Sequence, residues 1–306
     1  MSNTIEKALQ RQREAKKKQL EQNAEPEKGD IQQQTDTSEP AVSTHEQATN
    51  DVKSAPIAEE KVPYELDLDA LEEKGHVSIR SRRSQINEEY REIKRKLLAN
   101  AFGPISSTLN NSNIIMVTSG RPSEGKTFTA SNLALSIAAE QDKTVLLVDA
   151  DVLKPNVLNT LQLEKRPGLM EYLVGDVEDV ADVIYPTNIE KLKIIPAGRS
   201  HHLSTEMLAS QKMHETVDEF ANRYSDRIVI FDTPPLIGIN ESAILANFAG
   251  QAVVVTEEGK SKISDIKHAV ERLNPDMAIG FVVNKSVNND ADGTGYYGYY
   301  YAERSE

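Results

Sequence analysis

The chain has 306 residues, 48 acidic against 35 basic side chains for a formal net charge of -13, and no cysteine. That acidic balance lacks the basic face a general nucleic-acid binder needs, and the missing cysteines exclude disulfides, thiolate metal sites and cysteine nucleophiles. The length fits one large domain with extensions, and the absence of a signal peptide or of any apolar run near ~18 residues reads as a cytoplasmic protein that meets the inner face of a membrane only through a partner.

Residues 1–75 are rich in Gln, Glu, Lys, Ser, Thr and Pro. Such a stretch buries too little apolar surface to offset its ordering entropy, so a mostly disordered extension is expected. Two islands interrupt it. NTIEKALQRQREAKKKQL sets Ile5, Ala8 and Leu9 at helical spacing ahead of a basic end, which suits a short amphipathic helix that docks on a partner or an anionic membrane, or frays in solvent. YELDLDALEEKGHVS carries enough apolar residues to pack on the domain that follows.

That domain is read over 76–285, with a helix at 84–102. From Ser84 onward the apolar runs NIIMVTS, TVLLVDA, LKIIPAG, RIVIFDT, QAVVVTE and AIGFVVN suit strands buried on both faces. Between them FTASNLALSIAAE, TEMLASQKMHETVDEFANRY and SDIKHAVERL repeat apolar residues at helical period. Alternating β and α predicts an α/β fold, a parallel sheet with helices on both faces.

The first run, 113–119, leads into GRPSEGKT, which matches G-x-x-x-x-G-K-[ST] between a strand and a helix starting near Lys126. Backbone amides of Gly120, Arg121, Pro122 (which lends only its fixed φ), Ser123, Glu124 and Gly125 shape an anion cradle at the helix N-terminus. Lys126 reaches the β- and γ-phosphates, and the Thr127 hydroxyl suits Mg²⁺. The bland alternative is a glycine-containing turn with an incidental lysine. Two later strand ends deliver Asp149 with Asp151, and Asp232, to the rim where open parallel sheets bind ligands. One such aspartate is often only a turn former; three beside a phosphate loop point to metal and transferring phosphate. Asn284 and Lys285 end the last strand on that rim, a position suited to a purine base or simply to a strand exit. No G-x-G-x-x-G stands between a strand and a helix, and the adjacent His201 and His202 read as solvated loop residues.

The last stretch, GTGYYGYYYAERSE, holds half of the ten tyrosines. Its glycines predict a flexible tail at 286–306, either a sticky terminus, a partner-docking segment or a substrate.

With those motifs in place the chain resembles the bacterial tyrosine kinases (BY-kinases), whose P-loop ATPase fold is MinD/ParA-like. That family joins a Walker A loop, a strand ending D-x-D, a Walker B strand ending in Asp and a tyrosine-rich C-terminus. Gly120–Thr127, Asp149 with Asp151, Asp232 and Tyr296–Tyr301 fill those places in order. Within the family it is most similar to the stand-alone autokinases of exosortase-linked exopolysaccharide systems, through IEKAL, EEYREIKRKLLANAF, RPGLMEYLVG and IPAGRSHHLSTEMLAS. The resemblance implies ATP and Mg²⁺, with Thr127, Asp149 and Asp232 toward the metal and Asn284 toward the base. It implies Lys126, Asp149, Asp151 and Asp232 as the catalytic set, Asp151 or Asp149 taking the phenol proton, and Tyr296, Tyr297, Tyr299, Tyr300 and Tyr301 as phosphoacceptors. A subunit-contact motif E-x-x-R-x-x-R appears as Glu88, Arg91 and Lys94, implying a homo-oligomer of which a ring is one form. A membrane-embedded polysaccharide co-polymerase and a cognate tyrosine phosphatase are the further implied partners. Two departures stand out: Leu153 occupies the family's usual arginine position, with Lys154 next to it, and lysine ends the contact motif. The competing readings are a MinD/ParA-type ATPase switch, whose signature lysine is here Arg121, and a non-catalytic nucleotide-binding scaffold of an export complex.

Overall fold

β-branched residues dominate the central runs, and a computed structural model places them as six parallel strands of one seven-stranded sheet. It describes residues 61–80 and 84–286; the opening amphipathic stretch and the tyrosine cluster lie outside the described residues. The elements are α1 (Leu68–Glu73), α2 (Gln85–Phe102), β1 (Ile114–Ser119), α3 (Lys126–Ala138), β2 (Thr144–Asp149), α4 (Val157–Thr160), α5 (Leu169–Val174), β3 (Tyr185–Pro186), β4 (Leu192–Ile195), α6 (Ser204–Leu208), α7 (Gln211–Asn222), β5 (Arg227–Asp232), α8 (Asn240–Ala246), β6 (Gln251–Glu257), α9 (Ile263–Val270) and β7 (Ala278–Asn284), with 3₁₀ turns at Pro104–Thr108 and Val180–Val183.

The strand order is β3-β4-β2-β5-β1-β6-β7. All neighbours are parallel except the two-residue β3, which runs antiparallel on the edge beside β4. That edge was not anticipated, and its proline fits a position where one side needs no ladder donor. Because side chains alternate along a strand, each central strand feeds two cores. Met116, Val148 and Phe231 enter one, with α5, α7 and α8. Val117, Leu147 and Ile230 enter the other, with α2 and α3. Hence the runs are apolar at every position, and α3 is buried over nearly its whole length.

Two expected boundaries move. The helical pattern over 205–224 is two helices, Ser204–Leu208 and Gln211–Asn222, because the Ser210 hydroxyl accepts from the Met213 amide at 3.2 Å and starts α7 afresh. The packed domain also begins by Lys61 rather than at residue 76. Tyr64, Leu66 and Leu71 are buried in the core shared with α3. Leu66 and Asn188 exchange two hydrogen bonds of 3.1 and 3.0 Å, the Tyr64 amide donates to Pro186 O at 2.8 Å, and the Arg166 guanidinium lies 4.1 Å from the centre of the Tyr64 ring. This strap continues through His76 and Val77, which both meet Asn132 Oδ1 of α3, at 3.2 and 2.7 Å.

Lys94 corrects the expectation for the contact motif. It is buried, its Nζ donates to Ser136 O at 2.8 Å, and it pairs with Glu140 at 2.6 Å. The lysine that replaces the family's arginine joins α2 to α3 inside one subunit. Glu88 and Arg91 form an ion pair one helical turn apart.

His76 makes the strap sensitive to acid. Burial, helped by the Lys74 charge, lowers its pKa against the opposing pull of Asn132, so the folded chain holds the ring neutral. The unfolded ring protonates near pH 6.5. Below that pH the unfolded state binds the extra proton, and stability falls as pH drops. Urea midpoints followed from about pH 7.5 to about 5.5 are expected to fall more steeply for the native chain than for His76→Gln, which keeps a donor to Asn132 without the titration. Equal slopes would remove the ring from this role.

Candidate active site

The phosphate loop turns from β1 into α3 through Gly125, whose φ of +101° suits glycine. A Cβ there would stand 1.8 Å from Asn284 Nδ2, so the position is closed to side chains from two directions. The loop is held from outside as well. Asn284 Nδ2 donates to Glu124 O at 2.9 Å, and Lys285 Nζ donates to Ser123 O at 2.8 Å. Arg121 makes two bonds to Asp265, of 2.6 and 3.2 Å. Glu124, only 4% exposed, accepts from the Arg121 amide at 2.7 Å and from the Ser261 hydroxyl. The strand-end residue Asn284, expected at the base, thus spends its amide on the loop. Glu124 was expected only as loop backbone, and its carboxylate role was missed: Ser261 lies 137 positions away with no local signature.

Parallel pairing of β2 with β5 sets Asp149 and Asp232 as direct register partners at the carboxyl rim. Asp151 follows two residues later, and all three are buried, at 1%, 0% and 3% exposure for Asp149, Asp232 and Asp151. Lys126 Nζ lies 2.6 Å from Asp151 Oδ2 and 4.0 Å from Asp232 Oδ1. The Thr127 hydroxyl donates to Asp232 Oδ2 at 2.7 Å. Asp149 Oδ2 accepts from the amides of Asn156 and Val157, at 3.1 and 3.0 Å, and Asp151 Oδ1 accepts from the Lys154 amide at 3.0 Å. Leu153 and the Lys154 side chain are exposed. The structure brings Lys126, Thr127 and the three aspartates together on one rim.

Electrostatics follow from the crowding. Burial, with the Asp232 charge next, raises the Asp149 carboxyl well above its ordinary range. Burial likewise raises Asp232 to about 6, against the pull of Lys126 and Thr127. Burial alone would lower Lys126, but Asp232, Asp151 and Asp149 together outweigh it and hold the ammonium above its usual value. Such a cluster is short of positive charge.

Two of its oxygens, Asp149 Oδ1 and Asp232 Oδ1, are buried with no hydrogen-bond partner. Orphaned anionic oxygens beside the Thr127 hydroxyl fit a hard cation. Mg²⁺ is a cation of that kind, taking one or two carboxylates and completing its shell with waters and substrate phosphates.

Beyond the phosphate loop, buried Glu171 accepts from the Gly168 amide at 2.8 Å and from the Arg199 amide and Nε at 2.9 and 3.0 Å, joining RPGLMEYLVG to IPAGR. The rings of His201 and His202 lie tilted to each other, their centres 4.4 Å apart, in the adjoining loop. Among the described residues no helix is long and apolar enough to cross a membrane.

Residues 112–279 match a family model described as an AAA domain. Tyrosine-protein kinase YwqD of Bacillus subtilis is 32% identical over 214 residues, covering 69% of this chain and 86% of that protein. The putative tyrosine-protein kinase EpsB of Ralstonia nicotianae is 32% identical over 164 residues, 54% of this chain, and the chain spans only 21% of that longer relative. Among solved structures, the kinase domain of Escherichia coli tyrosine kinase ETK superposes with a TM-score of 0.56 at 26% identity, covering 66% of this chain and 77% of that one. The phosphate loop, the aspartate rim and these likenesses converge: the chain belongs to the bacterial tyrosine kinase family, built on a P-loop α/β fold.

Proposed function

We propose that the chain is an ATP-dependent protein-tyrosine autokinase that phosphorylates Tyr296, Tyr297, Tyr299, Tyr300 and Tyr301 of a neighbouring copy and so regulates exopolysaccharide synthesis and export. The observation that carries this reading is the 2.6 Å contact between Lys126 and Asp151 beside buried Asp232. It sets the cation for a transferring phosphate against a carboxylate able to take a proton.

ATP is the substrate, its phosphates lying on the loop amides and the N-terminus of α3. Lys126 exchanges Asp151 for the β- and γ-phosphates, and the exchange releases Asp151 Oδ2. Only about one phenol in a thousand is ionised at pH 7, so the attacking tyrosine needs a base. Asp151 takes the phenol proton, with Asp149 the second candidate. The phenolate oxygen bonds to the γ-phosphorus as the bond from that phosphorus to the bridging oxygen breaks, and ADP leaves with the electron pair. Mg²⁺, when bound, supplies charge neutralisation on the phosphate oxygens; Thr127, Asp149 and Asp232 are the groups that would hold it. Asn284 acts toward nucleotide by shaping the loop.

The chain from Lys285 to the tyrosines is 11 to 16 residues, an extended reach of up to about 35–55 Å, enough for a neighbour's rim. Each phosphotyrosine adds roughly -1.5 to -2 charges, which an acidic rim repels, so labelling loosens the assembly. The reading includes a homo-oligomer contacted through Glu88 and Arg91, a membrane-embedded polysaccharide co-polymerase that recruits and activates the chain, and a tyrosine phosphatase that resets it. Arg121 weighs against a MinD/ParA-type switch, since its guanidinium is committed to Asp265 of the same chain.

Incubation with Mg-ATP is expected to give phosphotyrosine on the native chain and none on Lys126→Met, with far-UV circular dichroism unchanged. Mixing Lys126→Met with a variant carrying Phe at all five tail tyrosines restores the label on the Lys126→Met chain if transfer runs between subunits. Label retained by Lys126→Met alone, or mapped elsewhere by mass spectrometry, overturns the reading.

Asp151→Asn separates proton transfer from binding. Removing a general base costs about 10²–10⁴ in rate, while Mg-ATP affinity should hold or tighten because Lys126 loses a competing anion. A titration showing affinity lost in step with rate would move Asp151 to the metal.

A further inference from the structure

The last strand differs from the rest of the sheet. β7 is an edge: it pairs with β6 on one side, and no described strand lies on the other. The Ala278 amide donates to Gly250 O at 2.9 Å, and the Asn284 carbonyl accepts from the Glu258 amide at 3.1 Å. Ala278, Gly280, Val282 and Asn284 thus turn their backbone groups toward β6, and those of Ile279, Phe281 and Val283 face the open side. The side chains are bare as well. Phe281 is 53% and Val283 61% exposed, whereas β1 and β5 are buried throughout. Between β7 and α2 runs a groove of about 410 Å³, walled by Ile86, Ile93 and Leu97, by Phe128 of α3, and by Gly280 and Val282.

A bare apolar edge invites pairing with any extended chain, and natural sheets blunt such edges with lysine, proline or a bulge. AIGFVVN carries no charge and no proline, and its register with β6 is unbroken. A fitting cover follows in the same chain. Residues 287–306 lie outside the described part and begin three positions after β7 ends. VNNDADG is rich in turn formers, and the TGYYGYYY that follows is rich in aromatic residues that suit a strand. Only residues 285–293 separate the two stretches. A parallel crossover needs about a dozen residues or more, so a strand returning to β7 is antiparallel. In such a strand Tyr297, Tyr299 and Tyr301 share one face, and Tyr296 and Tyr300 share the other. Each face meets apolar neighbours, the groove on one side and Phe281 with Val283 on the other, which accounts for tyrosines that do not alternate with polar residues.

We propose that residues 294–301 of the unlabelled tail pair antiparallel with the open edge of β7 in their own chain, exchanging hydrogen bonds with Ile279, Phe281 and Val283 and seating tyrosine rings in the groove beside α2. Main-chain bonds along a sheet edge supply the affinity, and the ring pockets supply the choice of segment. The tether selects the chain's own tail over a second copy, because a short flexible linker holds it at an effective concentration on the order of millimolar. An amphipathic helix from residues 3–20 would fill the groove but leave the edge groups bare. The direction of the strand bears on the reaction. β7 ends at the carboxyl rim, where Asn284 meets the phosphate loop, so an antiparallel return carries the tyrosines away from that rim at ~3.4 Å per residue. A docked tail is withdrawn from its own aspartates and has to leave the edge to be labelled. Glu89 and Glu92 line the groove with Lys96, so rings that each gain roughly -1.5 to -2 charges do not return to it. The docking needs no kinase activity; only this consequence rests on the autokinase reading.

The test reads amide hydrogen exchange residue by residue, by NMR, on the full chain carrying Lys126→Met, whose tail stays unlabelled, with no nucleotide present. The comparison is the same chain with Tyr299→Pro and Tyr300→Pro, adjacent prolines that remove a ladder donor whichever way the strand alternates. The Phe281 and Val283 amides are expected to exchange at least tenfold more slowly in the parent than in the proline variant. Gly280 and Val282, already bonded to β6, serve as the reference. Fast exchange of Phe281 and Val283 in the parent overturns the proposal. So does protection that the prolines leave intact, which assigns the edge to the basic N-terminal stretch or another occupant. Protection that grows with protein concentration also overturns it, since a second copy then covers the edge. Because no ATP is used, this measurement and the kinase assay can fail separately.

Discussion

Three buried aspartates sharing one lysine is the constraint around which the molecule is arranged. Like charges in a poorly solvated site repel strongly, and parallel pairing leaves no freedom to separate them, because Asp149 and Asp232 are register partners. The cost is met locally by Lys126, the Thr127 hydroxyl and the amides of Asn156, Val157 and Lys154. Two carboxylate oxygens remain unmatched. The rim is therefore tuned to a state with more positive charge than the protein alone supplies.

That tuning needs a phosphate loop that cannot drift. Asn284 and Lys285 brace it from β7, Ser261 and Asp265 from the segment after β6, and Glu124 ties its two ends together. Close backbone approach at Gly125 lets the brace sit against the loop without a side chain between. At the opposite end of β5, Arg227 is held by the ring of Tyr224, 3.9 Å from its guanidinium, and by the neighbouring Asp226 charge.

Much of this was legible because it is local. Continuous apolar runs identify strands buried on both faces, the loop pattern sits between strand and helix, and aspartates closing strands share a rim in any parallel sheet. What stayed hidden depends on distant partners. The strap reads as an island with apolar residues to pack, but its docking place is hidden until Asn188, 122 positions on, accepts the Leu66 amide. Lys94 reads as the end of a subunit-contact motif, but its long stem carries the charge to Ser136 and Glu140 of the same chain. Glu124 reads as loop filler until Ser261 arrives. The pattern over 205–224 reads as one helix for a nearer reason: its apolar period continues across Ser210, and only the cap interrupts it.

The strap also imposes an order of events in time. Its partners Pro186, Thr187 and Asn188 come more than 120 residues after Tyr64, so these contacts are among the most non-local in the fold and among the slowest to be rewarded. At ~5–20 residues per second, a ribosome needs roughly 6–24 s to add the segment that receives them. Tyr64, Leu66 and Leu71 emerge apolar and unpartnered, and wait for that segment before the sheet edge can close over them. An early sequence position thus becomes one of the later parts of the body to lock.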